Sequence, residues 1–302
     1  MTDANGSPAL VILAAGLGSR YGDAKQVAGV GPDGEWLLEY AIHDALAAGF
    51  GDVVMVIRAE LRGPLQDKLW PRVDNARLRF VEQSLDRVPA GCRPPRDRRK
   101  PLGTGHALWC CADLLHGPFA VINADDYYGR HAFGLLAEHF RHRSGPAMVG
   151  YRLDAALSEH GGVNRGMCRL DPDGFLEDVT EYTDIALRDG RLTGSAPGGE
   201  RQVLAPDRVV SLNCWGLLPD LMPDLEAGLR AFLADAGDSR EYYLPEAISR
   251  HLAAHGRKLA VLPTHDAWLG LTYPGDRERV AAAIAALHAS GAYPTPLWPG
   301  SA

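Results

Sequence analysis

The 302-residue sequence is short of cysteine, short of positive charge and without a long apolar run, and each shortage closes off a class of function. Five cysteines (Cys92, Cys110, Cys111, Cys168, Cys214) contain no CxxC pair and are odd in number, which argues against a disulfide framework or a cysteine-rich zinc module. They read as reduced, mostly buried thiols of a cytoplasmic protein. Lys plus Arg number 31 against 38 Asp plus Glu, a formal net charge of −7, which is the opposite of what a general nucleic-acid binder needs. No apolar run approaches the roughly 18 residues that cross a bilayer, so no membrane partner is expected. The opening residues Met1 to Pro8 lack the cationic start and apolar stretch of a secretory leader. A GxxxxGK[ST] phosphate loop is missing, as is any obvious Ser-His-Asp device.

What is present begins at the first apolar run. Leu10-Val11-Ile12-Leu13 leads directly into Ala14-Ala15-Gly16-Leu17-Gly18-Ser19-Arg20, with Lys25 close behind. A buried strand, a glycine-rich loop and two cations suit a nucleoside triphosphate. Glycines let backbone N–H groups approach phosphate oxygens, and the arginine grips them as a fork where the lysine acts as a point charge. A dinucleotide-binding fold is the main competitor for this loop. It wants a helix at once and an acid about 20 residues on; here the next strong helical pattern waits until about Trp36, and the acid after the second strand is Glu60.

Two further segments point the same way. Phe119-Ala120-Val121-Ile122 is followed by Asn123-Ala124-Asp125-Asp126, placing two carboxylates at the C-terminal end of a strand, where open α/β sheets bind ligands. Hard oxygen ligands beside a triphosphate suit Mg²⁺; the competing reading makes either aspartate a cap for a helix near Arg130. Leu102-Gly103-Thr104-Gly105-His106-Ala107 opens a helix whose first N–H groups are free for polar ligand atoms. His106 in that position reads as structural more readily than as an acid or base. Gln83 ends the third strand, where its amide could read a base edge. The dense basic run from Arg93 to Lys100 reads as a solvated mobile loop, with an electrostatic funnel for phosphates as the rival reading.

The pattern of elements implies an α/β fold. Short β-branched or aromatic runs at Val53–Ile57, Leu78–Val81 and Phe119–Ile122 alternate with helical patterns in the first half, as in a mostly parallel sheet covered on both faces. The second half holds two hairpin signals, at Asp171-Pro172-Asp173-Gly174 and Asp189-Gly190, and a strand-like Val209–Asn213. Helices are expected near 221–234, 246–255 and 276–288. Gly194 to Pro206 reads as a mobile loop. With 46% hydrophobic residues the chain is expected to form one unit over residues 1–302. About 1–145 would be a nucleotide-binding half and about 146–302 an acceptor-binding half.

Taken together, these residues resemble the sugar-1-phosphate nucleotidyltransferases, the NDP-sugar pyrophosphorylase family. Leu13 to Arg20 with Lys25 is similar to that family's LxxGxGxR…K signature, and Leu102 to Ala107 to a stretch of its uridylyltransferases. The resemblance implies a Rossmann-like, GT-A type sheet. It implies that Ala14, Ala15, Gly16 and Gly18 cradle the nucleotide, that Arg20 and Lys25 neutralise it, and that Gln83, Gly103 and Thr104 contact its nucleoside part. Asp125 would bind the catalytic Mg²⁺. In the second half, Glu181 falls on the family's Glu that meets sugar hydroxyls and Asn213 on its acceptor-site asparagine. Two departures stand out: Tyr182 takes the place of a phosphate-binding lysine, and Gly270 that of the aspartate for a second metal, with Asp266 and Asp276 as the candidate substitutes. The implied reaction joins an NTP, UTP favoured, to a sugar 1-phosphate and releases pyrophosphate. The alternatives are a non-sugar acceptor such as phosphocholine, a cyclitol phosphate, or a non-catalytic sugar-nucleotide binder. A homo-oligomer is compatible with all of them.

Overall fold

The computed structural model describes residues 6–16, 29–74, 76–94, 98–143, 145–235, 240–271, 273 and 275–298. Strands β1 (Ala9–Leu13), β2 (Val53–Ile57), β3 (Leu78–Glu82) and β4 (Phe119–Asn123) lie parallel in the order β3-β2-β1-β4. Their connections carry helices α1 (Leu37–Ala47), α2 (Arg62–Leu69) and α3 (Thr104–Trp109). Parallel neighbours need such crossovers, because no tight turn can join them. After β4 come the short β5 (Asp126–Tyr127), α4 (Arg130–His142) and β6 (Ala147–Arg152).

The chain then builds an antiparallel ribbon of β7 (Val163–Leu170), β8 (Leu176–Arg188), β9 (Arg191–Ser195) and β10 (Arg201–Val203). Strand β11 (Val209–Leu217) returns to the middle and pairs antiparallel with β4, β6 and β7, which fuses the ribbon to the parallel strands. Helices α5 (Leu221–Asp235) and α6 (Leu244–His255) follow, then β12 (Ala260–Pro263) parallel to β6, β13 (Leu269–Gly270) against β5, and α7 (Asp276–Ala289). The result is the mixed sheet with a parallel core and helices on both faces that the sequence implied.

Strand periodicity explains the two faces. Leu10, Ile12, Val53, Met55, Ala120 and Ile122 point into one apolar layer with α1, α2, α4 and α7. Val11, Val54, Val56, Phe119 and Val121 point into the other with α3, α5 and α6. Residues alternate between faces along a strand, so continuous apolar runs mark strands covered on both sides. Each fully buried Val or Ile contributes roughly 1.5–3 kcal/mol relative to exposure.

Both hairpin signals hold. Asp171 Oδ1 accepts from the backbone N–H of Asp173 (3.0 Å) and Phe175 (2.9 Å), while Asp189 and Gly190 both take positive φ at the β8–β9 turn. Two expectations are corrected. Gly194 to Pro206 is a β9–β10 hairpin rather than a mobile loop, closed by Ala196 N–H to Glu200 O (2.8 Å) and anchored by buried Leu204 on Leu192. Gly198 and Gly199 take positive φ at its tip. Within the basic run, Arg98 is not a solvated cation: it is 5% exposed and braces the carbonyls of Lys100, Pro101 and Arg240 at 2.9, 2.6 and 2.5 Å. Residues 95–97 of that run lie outside the described residues. No described helix is long and apolar enough to cross a membrane.

Candidate active site

The C-terminal ends of β1 and β4 meet. Ala14 donates its N–H to Val56 O (2.8 Å) and Ala124 donates to Leu13 O (3.2 Å), so the glycine loop leaves the sheet beside the paired aspartates. Ala14 and Ala15 are buried and Gly16 is exposed. Gly18, Arg20 and Lys25 lie outside the described residues.

Neither aspartate caps the following helix. Gly129 is the N-cap of α4, and Asp266 accepts from the His131 N–H at 2.8 Å. Asp126 instead sits in β5 opposite Gly270, and its Oδ2 accepts from Asn123 Nδ2 at 2.9 Å, with the Tyr128 hydroxyl 3.2 Å away. That hydroxyl also accepts from Asn123 N–H (3.0 Å) and reaches Leu212 O (3.1 Å), tying the end of β4 to β11. Burial first, and the adjacent Asp125 charge second, push the Asp126 carboxyl well above the usual range. Two carboxylates forced together where burial disfavours their charge gain most from a hard cation, and the all-oxygen donor set suits Mg²⁺.

A second metal ligand at residue 270 is sterically excluded. A Cβ there would lie 2.1 Å from Trp268 Cζ2 and 3.0 Å from Asp126 Oδ1, so the indole fills the space of the missing side chain. Asp266 and Asp276 do not replace it. The first is held by His131, and the fully buried second accepts from Tyr273 N–H (2.7 Å) and Ser158 Oγ–H (3.0 Å). Neither lines the cavity that contains Asp125.

Gln83 is positioned by the loop before α3. Its Nε2 donates to Gly103 O (2.9 Å) and reaches His106 Nδ1 (3.1 Å). Because a carbonyl only accepts, the amide nitrogen is fixed on that side, and His106 must donate from Nε2 to Arg87 O (2.6 Å). Burial holds His106 below its ordinary pKa, so it is the neutral scaffold its position suggested. Both amide hydrogens of Gln83 are thereby used, leaving its Oε1 as an acceptor.

Residues 102–105 are locked to the segment before α6. Tyr242 N–H donates to Leu102 O (2.7 Å), Gly105 N–H to Tyr242 O (2.8 Å), and Leu244 N–H to Thr104 Oγ1 (3.0 Å). The expectation that the first N–H groups of α3 are free is therefore corrected for Gly105. Gly103 has φ +114°, and a Cβ on it would stand 2.6–2.9 Å from Tyr242 main-chain atoms. Gly103→Ala is expected to destabilise the fold by on the order of 3 kcal/mol, since neither the backbone conformation nor the contact can relax. Urea unfolding measures this, and a loss below about 1 kcal/mol would contradict the lock.

The second half of the chain closes the same space. A cavity of about 670 Å³ is lined by Thr104, Asp125 and Asp126 together with Arg165, Glu181 and Asn213. Asn213 lies at a register shift of β11 with φ +59°, a bulge that interrupts the pairing with β6. Partial burial raises the Glu181 carboxyl, against the pull of Arg165. Arg165 is the residue that sequence reasoning missed. It stacks 4.2 Å from the Trp268 ring, donates from Nε to Ala156 O (2.9 Å) and from Nη1 to Asn164 O (2.8 Å). Its Nη2 and the Trp268 Nε1 are buried donors without a partner among the described residues, and both residues line the cavity. Burial lowers its pKa to about 10, opposed by Asp126 and Glu181, so it stays cationic at neutral pH. Arg165 pairs across the β7–β8 ladder with Tyr182, the position where the resemblance expects a lysine.

Residues 10–150, from β1 through most of β6, match the model of the MobA-like NTP transferase domain. This part of the chain is similar to the MobA-like NTP transferase domains. No protein of curated function matches the sequence. Among solved structures, the inositol-1-phosphate CTP transferase from T. maritima superposes with a TM-score of 0.62 at 12% identity, over 94% of this chain and 97% of that one. A UDP-glucose pyrophosphorylase complexed with UDP-glucose gives 0.63 at 15% identity, over 93% and 99%. At such identities the likeness establishes the nucleotidyltransferase fold along nearly the whole chain. The resemblance read from the sequence is borne out in fold, and the family model matched by residues 10–150 agrees with it.

Proposed function

We propose that the protein joins an NTP, with UTP the favoured donor, to a sugar 1-phosphate and releases pyrophosphate. The observation that carries this reading is one cavity whose lining brings together the Asp125–Asp126 pair and the buried guanidinium of Arg165. An anionic acceptor is held there between a metal-binding edge and a fixed cation. A phosphate monoester is largely ionised near neutral pH, so its oxygen can attack the α-phosphorus without a strong base. The P–O bond to the β-phosphate breaks and pyrophosphate leaves with its electron pair. The rate then depends on positioning and charge neutralisation.

In this reading Asp125, with Asp126 beside it, holds Mg²⁺, which neutralises phosphate charge when bound. Ala14, Ala15, Gly16 and Gly18 cradle the triphosphate, and Arg20 and Lys25 neutralise it. Gln83 Oε1 accepts from the base, Gly103 and Thr104 shape the nucleoside wall, and Arg165 pairs with the acceptor phosphate. Glu181 and Asn213 meet acceptor hydroxyls. Residues 1–302 act as one domain in a cytoplasmic enzyme. Four of its five free cysteines are buried, and burial raises Cys110 and Cys168 to about 12, consistent with inert reduced thiols.

The test is pyrophosphate release with Mg²⁺ across a grid of NTPs, sugar 1-phosphates, inositol 1-phosphate and phosphocholine. The expected result is release that requires both substrates and is greatest with UTP and a sugar 1-phosphate. Release only with a cyclitol or choline phosphate would replace the acceptor, and silence across the grid with nucleotide binding intact would overturn catalysis.

A further inference from the structure

On the outer edge of the α3–α5–α6 layer, three potential metal ligands converge. We propose that Asp224, His251 and His255 form a binding site for a first-row transition-metal ion of the Zn²⁺ type, separate from the nucleotide cavity. His251 and His255 are one turn apart on α6, so their rings share a face of the helix. Asp224 comes from the first turn of α5. His251 Nδ1 lies 2.6 Å and His255 Nε2 2.7 Å from the same oxygen, Asp224 Oδ2, and the three donor atoms lie within 4.8 Å of one another. Zn²⁺ bonds at about 2.0–2.2 Å would place ligand atoms about 3.3–3.5 Å apart in a tetrahedron. The two short contacts therefore need to open by less than about 1 Å and the widest separation to close from 4.8 Å by about 1.4 Å, while each neutral ring moves its proton to its other nitrogen and turns a lone pair to the ion.

Three features of the surroundings favour a cation of this kind. Two imidazoles and one carboxylate are the donor set that zinc takes in open, water-accessible sites. The other nitrogen of His251, Nε2, faces Asp220 Oδ1 at 4.0 Å, and Asp220 is itself held by Arg257 at 2.5 Å. A carboxylate behind a ligating histidine orients the ring and strengthens the metal bond. His255 is also the last residue of α6, before Gly256 in the left-handed conformation, so the ion would stand at the negative end of the helix.

The chemistry of the site separates it from Asp125 and Asp126, which offer oxygen alone. His251 is 5% exposed and already oriented, whereas His255 is exposed and able to move. A bound ion would clamp α5 to α6. The opposite end of α6 carries Pro245 and Glu246, which line the nucleotidyltransferase cavity, so the clamp would stiffen one of its walls.

The experiment titrates Zn²⁺ into the untagged, Mg²⁺-saturated full chain by calorimetry and uses Cu²⁺ as a paramagnetic probe of ligand identity. The expected result is one saturable Zn²⁺ event per chain, weakened at least about 10-fold by His255→Ala, which alters an exposed side chain and leaves the fold intact. Asp224→Asn, which keeps an acceptor for both histidines and removes the charge, should weaken it similarly. The Cu²⁺ spectrum should show coupling to two imidazole nitrogens, falling to one in His255→Ala. An absence of saturable Zn²⁺ binding, affinity unchanged in both variants, or a spectrum without nitrogen coupling would each overturn the site and leave the cluster a hydrogen-bonded brace.

Discussion

Asp125→Asn should lower pyrophosphate release by on the order of 10³-fold at saturating substrates while the variant folds and binds nucleotide. The substitution preserves shape and one acceptor oxygen and removes only the charge. It also leaves the backbone contact between Asp125 O and Leu271 N–H (3.3 Å) in place. Asp126 makes up only part of the loss. Its Oδ2 is engaged by Asn123 and approached by the Tyr128 hydroxyl, so it is oriented toward the protein rather than offered freely to a ligand. Removing the neighbouring charge also eases the ionisation of Asp126, so a partial recovery at high Mg²⁺ is part of the expected result. The measurement is initial rate against Mg²⁺ concentration, beside nucleotide affinity determined separately. A variant within 10-fold of wild type at ordinary Mg²⁺ would remove Asp125 from the metal site.

Much of this architecture was legible in the sequence, for physical reasons that differ by element. β1, β2 and β4 are continuous apolar runs because both faces of the parallel sheet are covered, and Asp171 and Asp189-Gly190 announce turns through their own local chemistry. Helix α2 gave little signal: Gly63-Pro64 reads as a break, yet a proline in the first turn gives up an N–H that has no partner there anyway. The β9–β10 hairpin gave as little, with only Leu192, Gly194 and Leu204 buried between Arg191 and Pro206.

At the site, the end of β4 was legible because strand and carboxylates are adjacent in the chain. Gly103 was visible as a glycine, but its reason, the main chain of Tyr242, arrives from the far half. Gly270 was visible as a departure, and only packing shows that Trp268 occupies the vacated volume. Arg165 gave no local signal at all. A lone arginine in an ordinary strand acquires meaning through its pairing with β8 and its stacking on a tryptophan from the β12–β13 segment.

Arg165→Met should raise the KM for the acceptor and lower kcat/KM by about 10²–10³-fold, with nucleotide affinity little changed. Methionine fills the stem's volume and packs on Trp268, so the lost quantity is the charged fork. In the protein alone that fork is costly. A guanidinium buried against low-dielectric surroundings, with one nitrogen lacking a partner among the described residues, loses hydration that Ala156 O and Asn164 O only partly replace. Asp126 and Glu181 hold its charge in place, and an incoming phosphate would supply the missing acceptor as a charge-assisted hydrogen bond. The same reasoning predicts that Arg165→Lys recovers only part of the activity, because a point charge cannot keep the stack and both carbonyl contacts while reaching the phosphate. A brace for the β7 strand alone would behave differently: the Met variant would lose thermal stability, and its acceptor KM would stay within about fivefold of wild type. A split between acceptor KM and nucleotide affinity, with the melting temperature preserved, therefore identifies Arg165 as the cation that stands in for the lysine replaced by Tyr182.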